Sequence, residues 1–232
     1  MPVFIFILLG IFGNVLQSET LKENQREISF QAISWGVLQS ELWFKNVNGE
    51  KVNIYPLPHM RSKEESASII NSLNFYSEKI DNEGNPVPVG SVIFPEGASK
   101  FLLLFSKKTN SDYFIIALPD DYESFPFGSI KIYNATPFKI AYKFNDDQLR
   151  IESMKSIVHT IKGSDKVSST SVMIAFKVDD MEWKRGYSNR WSFKQDTRTL
   201  IVVTEKVDTI GNKGVVVKRI KERQMKPPVN EQ

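Results

Sequence analysis

Apolar positions recur at every second residue along most of this chain. Between residues 138 and 144, Phe138, Ile140, Tyr142 and Phe144 share one face, while Lys139, Ala141 and Lys143 share the other. That period belongs to a strand with one side buried and one side in water. Residues 171–178 repeat it, with Val172, Ile174, Phe176 and Val178 on a single face. Residues 101–105, Phe-Leu-Leu-Leu-Phe, are apolar on both faces, as expected of a central strand covered from two sides. The pattern predicts strands over 28–35, 41–46, 51–55, 73–79, 87–94, 100–106 and 113–118. A second set follows over 129–134, 138–144, 148–151, 156–160, 171–178, 189–194, 199–205 and 214–220. Each is rich in β-branched or aromatic residues and ends in turn chemistry. Asn48-Gly49 marks a hairpin between two of them. Residues 62–71 fit less well: Glu64, Glu65, Ala67, Ile69 and Ile70 suit a short helix or an irregular loop, and we read a loop.

The two sets are separated by a break in the pattern. Leu118-Pro119-Asp120-Asp121 ends an apolar run with a residue that cannot donate to a ladder and two acids that favour turns. Phe125-Pro126-Phe127-Gly128 follows, stiffened by proline and released by glycine. Its phenyl rings are too apolar for a floppy linker and are expected to pack in a crease between flanking domains. The organisation predicted is all-β, with two tandem β-sandwich, immunoglobulin-like domains at 24–121 and 129–224. A joint at 122–128 connects them, and a disordered tail of low hydrophobicity occupies 225–232. The sets also read as an internal repeat. Glu41-Leu42-Trp43-Phe44, a turn and Lys51-Val52-Asn53-Ile54 parallel Ile140 to Phe144, a turn and Gln148-Leu149-Arg150-Ile151.

Composition adds a compartment. Val3 to Val15 is almost wholly apolar and then gives way to Gln17-Ser18-Glu19-Thr20. A membrane span needs about 20 apolar residues, whereas a secretory h-region runs about 7–15. Residues 1–18 are therefore expected to be a signal peptide cleaved after Ser18, the alternatives being an uncleaved anchor or a fragment of core strand; once cleaved, no transmembrane span is expected. The chain has no cysteine, which removes disulfides and thiolate chemistry and suits a bacterial envelope. Secreted or periplasmic localisation is expected. A net charge of +3 over 232 residues is too small to imply a polyanionic partner, and nothing points to nucleic acid.

The N-terminal apolar stretch, Ile33-Ser34-Trp35, Leu42-Trp43-Phe44, Leu103-Leu104-Phe105, Ala117-Leu118-Pro119-Asp120-Asp121, Phe125-Pro126-Phe127-Gly128, Tyr133-Asn134 and Asn189-Arg190-Trp191 occur in that order. In this the chain resembles an uncharacterised family of secreted, β-rich bacterial proteins with no established activity. The resemblance implies export and a two-part β architecture, and it carries no site residues.

Candidate chemistry is sparse. His59 and His159 form no ligand pair of the His-x-x-x-His kind, and no cofactor or metal is expected. The acidic pairs Asp120-Asp121, Asp146-Asp147 and Asp179-Asp180 could in principle hold calcium or supply an acid and a base. Each follows a strand end, where aspartate caps turns, and the turn reading is preferred. Asn134-Ala135-Thr136 matches a glycosylation sequon but reads as a turn. Trp35, Trp43, Trp183 and Trp191 could offer flat faces to sugar rings. Glu182-Trp183-Lys184-Arg185-Gly186-Tyr187 stands out as an aromatic and basic segment between strands, and Trp183, Arg185 and Tyr187 are the candidate ligand-binding residues. The expectation is an exported, non-catalytic binding or assembly module for an unknown protein or glycan of the cell envelope. The alternatives are a carbohydrate-binding protein using exposed tryptophan faces and, third, a carboxylate-dependent hydrolase.

Overall fold

A computed structural model describes residues 25–36, 41–58, 60–108, 112–161, 168–178 and 181–224. Among these the chain is all-β, sixteen strands with no helix. The expected signal peptide, His59, the Asp179-Asp180 pair and the expected tail at 225–232 lie outside the described residues. The chain divides into two compact units, Met1–Asp120 and Asp121–Gln232.

In the first unit one sheet has the order β4-β1-β7-β8, built from β1 (Arg26–Trp35), β4 (Glu65–Ile69), β7 (Lys100–Lys107) and β8 (Tyr113–Pro119). The other runs β3-β2-β5-β6, from β2 (Leu42–Lys45), β3 (Lys51–Ile54), β5 (Ser72–Ile80) and β6 (Pro86–Ile93). The second unit holds β12-β9-β15-β16 and β11-β10-β13-β14. Its strands are β9 (Ser129–Ala135), β10 (Lys139–Phe144), β11 (Asp147–Ile151), β12 (Ser156–Thr160), β13 (Ser168–Lys177), β14 (Lys184–Phe193), β15 (Thr197–Val207) and β16 (Lys213–Arg223). Strand for strand, the second unit repeats the first. Even the one parallel pairing recurs, β1 with β7 and β9 with β15, among otherwise antiparallel ladders. Two tandem β-sandwiches of one topology are the result.

Each sandwich closes on its own apolar core. In the first, Phe30, Phe44, Phe75 and Phe105 meet with ring centroids 5.0–6.2 Å apart, an edge-and-tilt geometry that the aromatic quadrupole favours. In the second, Ile132, Tyr142, Phe144, Phe193, Ile201 and Val203 occupy the centre. Leu102 and Leu104, on the side of β7 away from that first core, are also buried, in keeping with the run of apolar residues on both faces.

Three hairpins share one five-residue turn, Asx-x-x-Gly-x. It appears at Asn46–Glu50, Asp81–Asn85 and Asp208–Asn212, with Gly49, Gly84 and Gly211 at φ 79, 85 and 86°. In each, the first residue's Oδ1 accepts backbone N–H bonds from the third and fifth residues, at 2.8–3.0 Å. The glycine supplies the left-handed conformation that a side chain resists.

Two expectations are corrected. Residues 65–69, read as part of a loop, form the edge strand β4. Ala67 and Ile69 alternate inward between polar neighbours, and a run this short looks the same in a loop. Residues 184–187, read as a loop between strands, are the start of β14. The pairing of β14 with β13 shifts between Ile174 and Ala175, leaving Gly186 unpaired in a bulge. A bulge inverts the side-chain alternation and so hides a strand from a period-two reading.

That bulge has a counterpart. In β6 the register shifts beside Tyr76, and Gly90 approaches β8 so closely that a Cβ on it would lie 2.7 Å from Ile115 Cδ1. A Cβ on Gly186 would lie 2.3 Å from Val215 Cγ2 of β16. In both domains a glycine in or next to a bulge lets the last strand of one sheet close against the last strand of the other.

Residues 122–127 pack around Arg198 of β15. The rings of Tyr122, Phe125 and Phe127 lie with centroids 5.1, 4.9 and 5.6 Å from its Cζ. Arg198 also donates to Phe125 O at 3.1 Å and to Glu222 Oε2 at 3.1 and 2.9 Å. The two phenyl rings thus have a partner in the second domain's own core strand, and Phe125 is 1% exposed.

Candidate functional site

The bulge at Gly186 decides what β14 shows to solvent. Antiparallel partners project to the same side of a sheet. Arg185 pairs with Ala175, on the outward side, while Tyr187 pairs with Ile174, which belongs to the core. The three candidate residues are therefore divided. Arg185 is exposed, and Trp183, just before β14, is 38% exposed, its ring centroid 5.9 Å from the Cζ of outward-facing Arg150. Tyr187 turns inward, half-buried, its hydroxyl accepting hydrogen bonds from Asn189 Nδ2 and Trp191 Nε1, each at 3.1 Å. It supports Trp191, whose other neighbour is Arg219, with Cζ 4.8 Å from the ring.

The register extends the outward face across all four strands. Arg150 pairs with Ala141, Ala141 with Ala175, and Ala175 with Arg185, so one straight row reads Arg-Ala-Ala-Arg. Its ends are three strand spacings apart, about 14 Å. Lys139 and Lys177 pair on one side of this row; Lys143 and Met173 pair on the other; Arg190 lies further along, opposite Ser171. Six cations thus share one face: Lys139, Lys143, Arg150, Lys177, Arg185 and Arg190. Glu152 meets one of them, with Lys139 Nζ 3.1 Å from Oε1. Between the arginines the row carries only two methyl groups, and at its end Arg150 and Trp183 lean toward each other.

The first domain supplies an internal comparison. Its corresponding row also lies beside a buried pair at the end of the third strand, Leu42–Ile54 there and Ile140–Ile151 here. It reads Asn53, Trp43, Tyr76, Pro88. Trp43 and Tyr76 stack at 4.4 Å with 20° between their planes, Lys51 Nζ sits 5.1 Å from the Trp43 ring, and Trp43 Nε1 donates to Ser77 O at 3.2 Å. Where the first domain carries an uncharged aromatic pair along the row, the second carries two alanines bounded by arginine.

The other candidates resolve into structure. Asp120, 3% exposed, pairs with Arg61 through both carboxylate oxygens, and Gln31 Oε1 accepts from the same guanidinium at 3.2 Å. Asp121 caps a turn, accepting from Ser124 N at 2.8 Å and Ser124 Oγ at 2.9 Å. Asn134 is wholly buried: Nδ2 donates to the carbonyls of Phe138, Ile151 and Glu152, and Oδ1 accepts from Thr136 N and Oγ1. The sequon is a buried turn with no amide free for a glycan. His159 packs on Phe144 with ring centroids 5.2 Å apart, and its Nε2 lies 3.7 Å from Asp147 Oδ2. Both line a hollow of about 490 Å³ between β11 and β12. Nearby, burial pushes the Tyr142 phenol far above its ordinary range. Among the described residues, no three His, Cys, Asp or Glu side chains converge as a metal site.

Reading the sequence alone found Trp183 and Arg185 but missed Arg150, Lys177 and Arg190. The partial signal was Lys139, Ala141 and Lys143 on one face of a strand; what it lacked was the order of the strands. No family model and no curated protein matches the chain.

Proposed function

We propose that this chain is an exported, non-catalytic β-sandwich protein that serves a bacterial envelope as a binding or assembly module. The observation that carries this is the contrast between equivalent rows of the two domains. One carries a stacked Trp43–Tyr76 pair; the other carries Ala141 and Ala175 flanked by Arg150 and Arg185. A scaffold that repeats its topology while changing one solvent-facing row keeps its core chemistry and alters what it can meet. Export rests on the apolar run from Val3 to Val15 and on the absence of cysteine.

Carbohydrate binding is the second reading, favoured by Trp183. Trp183 is 38% exposed, whereas Trp191 is 4% exposed and Trp43 is stacked. Carboxylate hydrolysis draws no support from Asp120 and Asp121, which are committed to Arg61 and Ser124. The test is fractionation of cells expressing a tagged chain, followed by co-purification from envelope extracts. The mature chain should start near Glu19 and retain an envelope component that is lost in Arg150→Ser/Arg185→Ser. A cytoplasmic chain retaining Met1 would overturn the reading.

A further inference from the structure

We propose that the outward face of the β11-β10-β13-β14 sheet binds an acidic polysaccharide built from uronic acids. Arg150 and Arg185 would pair its carboxylates while Trp183 lies against a sugar ring. The inference rests on the reading of the chain as a binding module and names the ligand class.

Three features select the ligand. First, charge: six cations on one face, met by Glu152 at Lys139, call for an anionic partner. A net charge of only +3 lacks the broad basic excess of a nucleic-acid binder. Second, shape: the arginines stand about 14 Å apart at the ends of a straight row whose middle carries only the methyl groups of Ala141 and Ala175. That spacing suits an extended polymer with repeated anions more than a single compact ion. A planar carboxylate can lie in one plane with a guanidinium and accept two parallel N–H bonds. Third, the exposed Trp183 beside Arg150 offers an apolar flat surface that a peptide carboxylate does not need but a sugar ring can cover. The first domain's uncharged aromatic row shows that the scaffold folds without an alanine pair flanked by arginines.

The experiment is binding of the full chain, by calorimetry at low and high salt, to polygalacturonate, dextran sulfate, neutral dextran and polyglutamate. Polygalacturonate should bind best, weakening with salt. Arg150→Ser/Arg185→Ser should lower affinity about tenfold or more, and Trp183→Ala about threefold to tenfold. Ala141→Trp/Ala175→Tyr, which copies the first domain's row, should abolish binding; where it fails to melt cooperatively, the arginine pair decides. Equal affinity for dextran sulfate overturns the uronate assignment. Equal affinity for polyglutamate with no effect of Trp183→Ala overturns the sugar assignment in favour of an acidic protein. No binding to any anion, with an envelope partner still retained by the parent chain, overturns this inference and leaves the binding-module reading standing.

Discussion

Asp81 and Asp208 show how much one side chain can set. Each organises a whole hairpin turn through its carboxylate, and the backbone N–H bonds from Asn85 and Asn212 are the largest influence holding both below the ordinary carboxylate value of 3.8. A depressed folded-state pKa stabilises the fold above the unfolded value, near pH 4, and that stability is lost as pH falls through the folded values. Asn46 performs the same role uncharged. Asp81→Asn/Asp208→Asn should therefore keep the turns while flattening the loss of melting temperature below about pH 4. Superimposable profiles for parent and variant would contradict this. Phe125 belongs to the same level of argument. A ring in a shallow crease would cost little to remove, but this one is 1% exposed and packed on Arg198. Phe125→Ala should cost about 3–5 kcal/mol in denaturant unfolding, and a loss of well under 1 kcal/mol would show the cage to be incidental. The apolar character of Phe125 and Phe127 was legible in the sequence. Arg198, more than seventy positions away, was not, because nothing local marks an arginine as the partner of three rings.

Among the strands, those with an unbroken alternation were legible, and β10 and the central part of β13 appear as their patterns require. One edge strand and the start of another were not. β4 is too short and polar to stand out, and β14 changes side at Gly186. The bulge turns Arg185 outward and Tyr187 inward, so three residues that look like one recognition loop serve two purposes. Gly186→Ala should be expensive, since its Cβ would meet Val215 and Phe176, both stiff core side chains. We expect about 1–3 kcal/mol of destabilisation together with faster amide exchange in β14 and β16 than in β9. Uniform exchange with unchanged stability would mean that β14 can lift away from β16 freely, and that the bulge does not fix the outward face.

Across the chain, two domains with one topology differ in what they present to solvent, and the proposed function lives in that difference. The repeat was visible in the sequence as recurring strand motifs, but the row of Arg150, Ala141, Ala175 and Arg185 emerges only from strand order. Arg150 and Arg185 come together across two intervening strands, and +3 overall charge conceals six cations on a single sheet. The decisive measurement is site-specific photocrosslinking in cells that produce the protein, with a photoreactive amino acid at exposed position 188, which pairs with Met173 on the outward face and leaves both arginines in place, or at its first-domain counterpart, position 91. A ligand-bearing outward face on the second domain predicts strong crosslinking to an envelope component from position 188, competed by added polygalacturonate, and little from position 91. Equal crosslinking from both positions, or none from 188 in a folded and exported chain, would contradict it.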